Sequence, residues 1–228
     1  MTFYILTLFP QMFKEGFSQS IIAQAKAKQL INIYTLNIRN FGYGARKNVD
    51  DKPYGGGKGM ILRVDVIVQA LKSLNERPYT VLLSASGNKY NQKTVKLFST
   101  KQSLALICGH YEGVDARIEK YVDEVVSIGD FVLTGGEIAA LAIVDSVTRL
   151  IPGVIHPESL KSESFSQVTR NQLPATILEY PQYTRPEEFE GLKVPKILLS
   201  GNHKEIIKWR TKQQIKRTKK FRPDLIRK

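Results

Sequence analysis

The chain has 228 residues, 42% hydrophobic and 24% charged, a balance that excludes the disordered and fibrous classes and leaves room for one full core plus a smaller second unit. Its net charge of +13 is concentrated at one end: residues 204–228 carry eleven Lys or Arg against Glu205 and Asp224, which points to a polyanionic partner, with nucleic acid the commonest. A single cysteine, Cys108, excludes an internal disulfide and implies a reducing compartment.

The amino terminus, Met1 to Pro10, is apolar but has no basic leader, and it reads as a buried first strand over Phe3–Leu8. Further short runs rich in branched residues predict strands at Ile31–Leu36, Thr80–Ser84, Leu104–Cys108 and Glu124–Ile128. Between them lie helix-length segments at Gln19–Gln29, Val64–Leu74 and Asn91–Ser99, and this alternation is that of an α/β domain with a largely parallel sheet covered on both faces. Ligands in such domains bind at the carboxyl ends of strands. Phe131–Val147 is the longest apolar stretch, but Gly135, Gly136, Glu137 and Asp145 interrupt it, so no membrane span is expected and the protein is placed in the cytoplasm. Its second half, Ile138 to Arg149, is an Ala-rich helix that ends before Pro152-Gly153. From His156 to Ala175 the composition turns polar, which predicts a mobile linker. A second unit begins near Pro181 and ends in helices, one starting around His203 and carrying Trp209 on a basic frame. The expected division is therefore 1–155, a linker at 156–178, and a basic helical unit at 179–228.

Three glycine-bearing loops follow predicted strands: Ser84-Ala85-Ser86-Gly87, Gly109-His110-Tyr111-Glu112-Gly113, and the segment from Ser127 through Gly129, Phe131 and Leu133 to Gly135-Gly136-Glu137. Glycine lets the backbone come close to a ligand and present its N–H and C=O groups, although each loop alone is no more than a turn. The two standard nucleotide signatures are missing. Gly57-Lys58 is followed by Gly59-Met60 rather than by Ser or Thr, and no G-x-G-x-x-G opens a helix after the first strand. This argues against an NTPase, a dinucleotide-dependent dehydrogenase and the common Rossmann-like methyltransferases. His110, His156 and His203 lack the spacing of a metal cage, so no protein-held metal is expected.

Five motifs in order, Asp50 to Met60, Cys108 to Asp115, Ser127 to Glu137, Tyr183-Thr-Arg185-Pro186 and Ser200-Gly-Asn-His203, closely resemble the bacterial tRNA (guanine-N1)-methyltransferase family that acts at position 37, and Trp209-Arg210 extends the match across nearly the whole chain. The resemblance implies an α/β, SPOUT-type parallel-sheet domain tied in a trefoil knot, followed by a small, mainly helical C-terminal domain. It also implies a homodimer with the active site at its interface. It further implies S-adenosyl-L-methionine as methyl donor and tRNA as substrate, and magnesium needed for activity without a protein cage. On matching positions the cofactor pocket comprises Leu82, Leu83, Ser84, Ala85, Gly109, Tyr111, Glu112, Gly113, Ser127, Ile128, Gly129, Phe131, Leu133, Gly135 and Gly136. The RNA contacts implied are Asp50, Tyr54, Gly55, Gly56, Gly57, Arg185, His203, Trp209 and Arg210.

Methylating guanine N1 requires removal of its proton and stabilisation of the charge that shifts to O6. By resemblance, Glu163 is the general base, where the family usually has Asp before Ser-Phe, and Arg149 faces O6. Glu158 is the reserve candidate for the base. Two other readings stay open from the residues: an RNA-binding protein without catalysis, which predicts no donor binding, and a related SPOUT enzyme acting on a different RNA.

Overall fold

The computed structural model describes every residue except Ser162, Asn171, Gln172, Arg227 and Lys228. The chain forms two compact units, Met1–Ile155 and His156–Lys228.

The first unit is built on β1 (Thr2–Thr7), followed by the short α1 (Phe13–Gly16) and by α2 (Ser20–Ala27). Then come β2 (Asn32–Asn37), the two-residue strands β3 (Asp50–Asp51) and β4 (Ile61–Leu62), α3 (Val64–Lys72), β5 (Tyr79–Lys89), α4 (Gln92–Ser99), β6 (Ser103–Cys108), β7 (Glu124–Ser127) and α5 (Glu137–Thr148). Five strands form one sheet in the order β2-β1-β6-β5-β7, and every pairing in it is parallel. A parallel sheet is covered on both faces, so its strands are continuous apolar runs rather than alternating ones. All six residues of β6 are buried.

Successive side chains on these strands go to opposite faces. Phe3, Ile5, Val81, Leu83, Leu104, Leu106, Cys108 and Val126 pack on one face with α5 residues Ala140, Ile143, Val144 and Val147. Leu6, Leu82, Ala105 and Ile107 pack on the other with Val66, Ile67 and Ala70 of α3, whose i, i+1, i+4 spacing makes one helical stripe. Truncating a residue such as Leu106 to Ala would cost about 2–5 kcal/mol, because the close-packed surroundings cannot fill the hole. The start of α4 is set by Asn91, whose side-chain oxygen accepts from the Lys93 and Thr94 amides at 2.9 and 3.4 Å.

One strand runs further than its sequence predicts. β5 pairs with β7 from Val81 to Leu83, leaves it for Ser84–Gly87, and pairs again at Asn88 and Lys89. The return depends on Gly87, because a Cβ there would overlap the backbone of Val125 and Val126.

The second unit contains α6 (Pro157–Lys161), an antiparallel hairpin of β8 (Ser166–Arg170) and β9 (Leu173–Ile177), and a tight hairpin of β10 (Glu188–Phe189) and β11 (Leu192–Lys193). It ends in α7 (Lys196–Leu199) and the 19-residue α8 (His203–Phe221). The segment expected as a linker therefore carries a helix and a hairpin. Its polar composition hid Val168, Thr169, Thr176 and Ile177, which favour extended backbone. Among the described residues no helix is long and apolar enough to cross a membrane.

Candidate active site

Because β5, β6 and β7 are parallel neighbours, the loops that leave their carboxyl ends emerge on one edge of the sheet. Together they line a cavity of about 220 Å³. Of the residues expected to bind a cofactor, Leu83, Ser84, Ala85, Gly109, Tyr111, Glu112, Gly113, Ser127, Ile128, Gly129, Phe131, Leu133, Gly135 and Gly136 all line it. Leu82 does not. Strand alternation turns its side chain to the opposite face, where it packs beside Leu6 and Ile107. The sequence reading omitted His110, Val126, Val132, Thr134 and Ala139, which also line the cavity. Val126 was recoverable, since it lies two residues before Ile128 and so on the same face of the strand.

The walls are held by backbone contacts. The Gly136 amide donates to the Gly109 carbonyl at 2.9 Å, and His110 and Gly135 form an antiparallel bridge. Residue 136 must be glycine for this approach, because a Cβ would stand 2.7 Å from the Cα of Cys108. In the third loop the Ser127 hydroxyl donates to the Gly129 carbonyl at 2.9 Å and accepts from the Gly129 amide at 3.3 Å. Burial, and secondarily the nearby Glu137 carboxylate, hold the Cys108 thiol well above its ordinary pKa, so it serves as packing rather than as a nucleophile.

The Asp50–Met60 loop is tied to the same edge. Leu62 bridges Val114, the Glu112 amide donates to the Met60 carbonyl at 3.1 Å, and the Glu112 side chain fills the space a Cβ on Gly59 would need. Asp50 pairs with Leu62 in the short β3–β4 ladder, Gly55, Gly56 and Gly57 are exposed, and the ring of Tyr54 is fully solvent-accessible. Arg39 donates to the Tyr111 hydroxyl at 3.4 Å, which places a cation at the cavity rim. The cavity thus combines apolar walls, Leu83, Val126, Ile128 and Ala139, with peptide groups and a cationic edge, a lining suited to a small ligand with both apolar and polar parts.

Of the residues read as carrying the chemistry, Arg149 belongs to the same unit as this cavity but does not line it. Arg149 is the C-cap of α5, whose other end abuts the cavity at Gly136 and Ala139. Ten residues of helix after Ala139 put it on the order of 15 Å further along the axis. Glu163 is half-buried in the turn before β8, and Glu158 lies in α6; both belong to the second unit.

The expected RNA-contact residues of the second unit fall in two places. Arg185 is exposed in the chain before β10, while His203 opens α8 and Trp209 and Arg210 lie along it. The Trp209 ring meets Tyr183 at a centroid separation of 6.4 Å, and the Arg210 guanidinium stands 4.8 Å over the Tyr180 ring. α8 itself has eight Lys or Arg and one acid, Glu205. Among the described residues no three His, Cys, Asp or Glu side chains form a group able to hold a metal ion.

Comparison with known proteins agrees along the whole chain. The family described as tRNA (Guanine-1)-methyltransferase TrmD matches residues 1–228. A tRNA (guanine-N(1)-)-methyltransferase from Dictyoglomus turgidum is 50% identical over 98% of this chain and 89% of its own length. Proteins of the same name from Carboxydothermus hydrogenoformans and Caldicellulosiruptor saccharolyticus are each 48% identical, over 98% and 99% of this chain and 86% and 90% of their own. The chain belongs to the tRNA (guanine-N1)-methyltransferase family and is a methyltransferase.

Proposed function

We propose that the protein transfers the methyl group of S-adenosyl-L-methionine to N1 of guanosine 37 in tRNA, in the cytoplasm. The observation that carries this reading is the convergence of three glycine-bearing loops on one cavity, lined by fourteen of the fifteen residues assigned to the cofactor from sequence. When bound, the donor supplies an electrophilic methyl carbon. The chain contributes walls that fix its direction and a base for the guanine proton, and positioning of this kind accounts for much of the rate in such transfers. Glu163 is assigned as that base and Arg149 as the cation facing O6, with magnesium acting through the RNA and substrate rather than a protein cage.

A single copy does not suffice for this assignment, since Arg149 lies about 15 Å along α5 from the cavity end. A homodimer resolves this, with Arg149 of one copy serving the cavity of the other. The rim supports it: among its lining residues Val132 is 88% exposed and Phe131 about half exposed, apolar side chains of the kind that protein interfaces cover. The trefoil threading belongs to the same reading, supported by the close crossing of Gly136 over Cys108.

The test is complementation between two inactive variants. Leu133→Arg blocks the cavity at an exposed position, and Arg149→Ala removes the cation. Co-refolded as mixed dimers, they leave one intact site per dimer and should regain roughly a quarter of wild-type turnover in a statistical mixture. Activity no higher than that of either variant alone would contradict the shared site.

A further inference from the structure

Beneath the cavity is a group of polar side chains that the reaction as assigned does not use. Glu137, the first residue of α5, is only 2% exposed. Its Oε1 accepts from the Thr7 hydroxyl at 2.7 Å, and that hydroxyl in turn accepts from the Phe9 amide at 2.9 Å, so the orientation of the chain of bonds is fixed. The missing side chain of Gly135 makes room for two atoms at once: Oε2 of Glu137, and Nδ1 of His110, which would lie 2.6 Å from a Cβ at that position. Those two atoms are therefore within about 5 Å of each other. Nδ1 of His110 is also one of the few buried polar side-chain atoms without a hydrogen-bond partner among the described residues. Nε2 is not in that buried, unpartnered set, and the imidazole lines the cavity, clamped between Phe9 and Tyr111 at ring separations of 4.9 Å each.

A buried carboxylate facing one imidazole nitrogen selects the tautomer with the proton on that nitrogen and leaves the other as an acceptor. We propose that Glu137, held by Thr7, is a positioning residue that keeps Nδ1 of His110 protonated, so that Nε2 offers a lone pair to a hydroxyl or amino group of the ligand in the cavity. This rests on the assignment of that ligand as S-adenosyl-L-methionine, whose ribose hydroxyls and adenine amino group are donors of the required kind. The arrangement explains a buried acid on the far side of the cavity wall and the strict need for glycine at 135. The His110 ring packs on Phe9, beyond the end of β1, and on Tyr111 of its own loop, whose hydroxyl accepts from Arg39, while Glu137 of α5 shares the space beside Gly135 with it. Of these, Glu137 is the buried acid beside its unpartnered nitrogen.

The experiment uses the full chain labelled with ¹⁵N. Only three histidines, His110, His156 and His203, contribute imidazole signals, and His110→Asn assigns the one of interest. In the free protein at neutral pH, the His110 signals should show Nδ1 bearing the proton, and in Glu137→Gln this preference should weaken. Donor affinity is measured by calorimetry at pH 7.5. Glu137→Gln should bind about tenfold more weakly than the wild type, the loss expected when one hydrogen bond is misaligned. His110→Asn should bind weakly as well. A merely structural Glu137 would change melting temperature without changing the His110 nitrogen signals. An Nε2-protonated His110 in the free protein, or wild-type affinity in Glu137→Gln, would overturn the proposal. Failure of the wild-type protein to bind the donor at all would instead overturn the assignment of the ligand, and the free-protein nitrogen signals would still decide the tautomer.

Discussion

The two units are built in opposite ways. In the first, the cavity combines apolar side chains with the backbone of crossing loops, which meet at 2.9 Å between Gly136 and Gly109 where glycine leaves no side chain in the way. In the second, the described residues bury few side chains, Ile177, Ile206 and Thr218 among them, while the long α8 carries eight basic residues and stacks its aromatic and guanidinium groups on neighbours. A backbone-lined cavity defines shape and is insensitive to salt. A basic helix with a thin core supplies charge, and its affinity for a polyanion depends on released counterions. On the proposed function, chemistry and grip can be altered separately.

The largest effect that would sharpen this contrast is on chemistry alone. Glu163→Gln keeps the size of the side chain but removes the base, so turnover should drop by about 10²–10⁴-fold while donor and tRNA affinity stay within about twofold. Single-turnover methyl transfer alongside binding measurements checks this, and near-normal turnover would remove Glu163 from the mechanism. An intermediate effect belongs to grip alone. Replacing Lys212, Lys216, Lys219 and Lys220 by Gln should weaken tRNA binding more than tenfold at 0.1 M salt and reduce the slope of log affinity against log salt by about 3, with donor binding untouched. An unchanged slope would show that α8 does not meet the phosphates.

The smallest effect is on the first unit's stability. Tyr90 is pushed up to about 12 by burial, which outweighs the stabilising bond its hydroxyl shares with Ser146. Its folded pKa is above its unfolded value of about 10, so the stability this represents is complete below pH 10 and is lost as pH rises toward 12 and beyond. Urea unfolding at pH 8 and pH 11 should show a steeper loss for the wild type than for Tyr90→Phe. At pH 8 the variant should be less stable by about 1 kcal/mol, for the missing hydrogen bond. Equal alkaline sensitivity of the two proteins would mean that Tyr90 is not the titrating group.

What could be read from sequence follows the same division. The five sheet strands were legible to within a residue or two at most ends because a parallel sheet buries both faces and demands uninterrupted apolar runs, as β6 shows most clearly. The cavity residues were legible through motifs. Leu82 falls outside the cavity lining because a motif does not say which face of a strand a residue occupies, whereas alternation from Leu83 does. The continuation of β5 to Lys89 was hidden by Ser84–Gly87, whose turn-like composition masks a detour that returns to the same neighbour. The β8–β9 hairpin was missed because its segment has no hydrophobic periodicity. The Thr7–Glu137–His110 grouping joins residues up to 130 positions apart, and nothing in local pattern reports such a contact.

The most direct test of the central claim is transfer of a labelled methyl group from S-adenosyl-L-methionine, with magnesium present, to two tRNA transcripts that differ only in having G or A at position 37. Incorporation into the G37 transcript alone, recovered as 1-methylguanosine, is the predicted result. Labelling of both transcripts, or of neither despite tight tRNA binding, would contradict it.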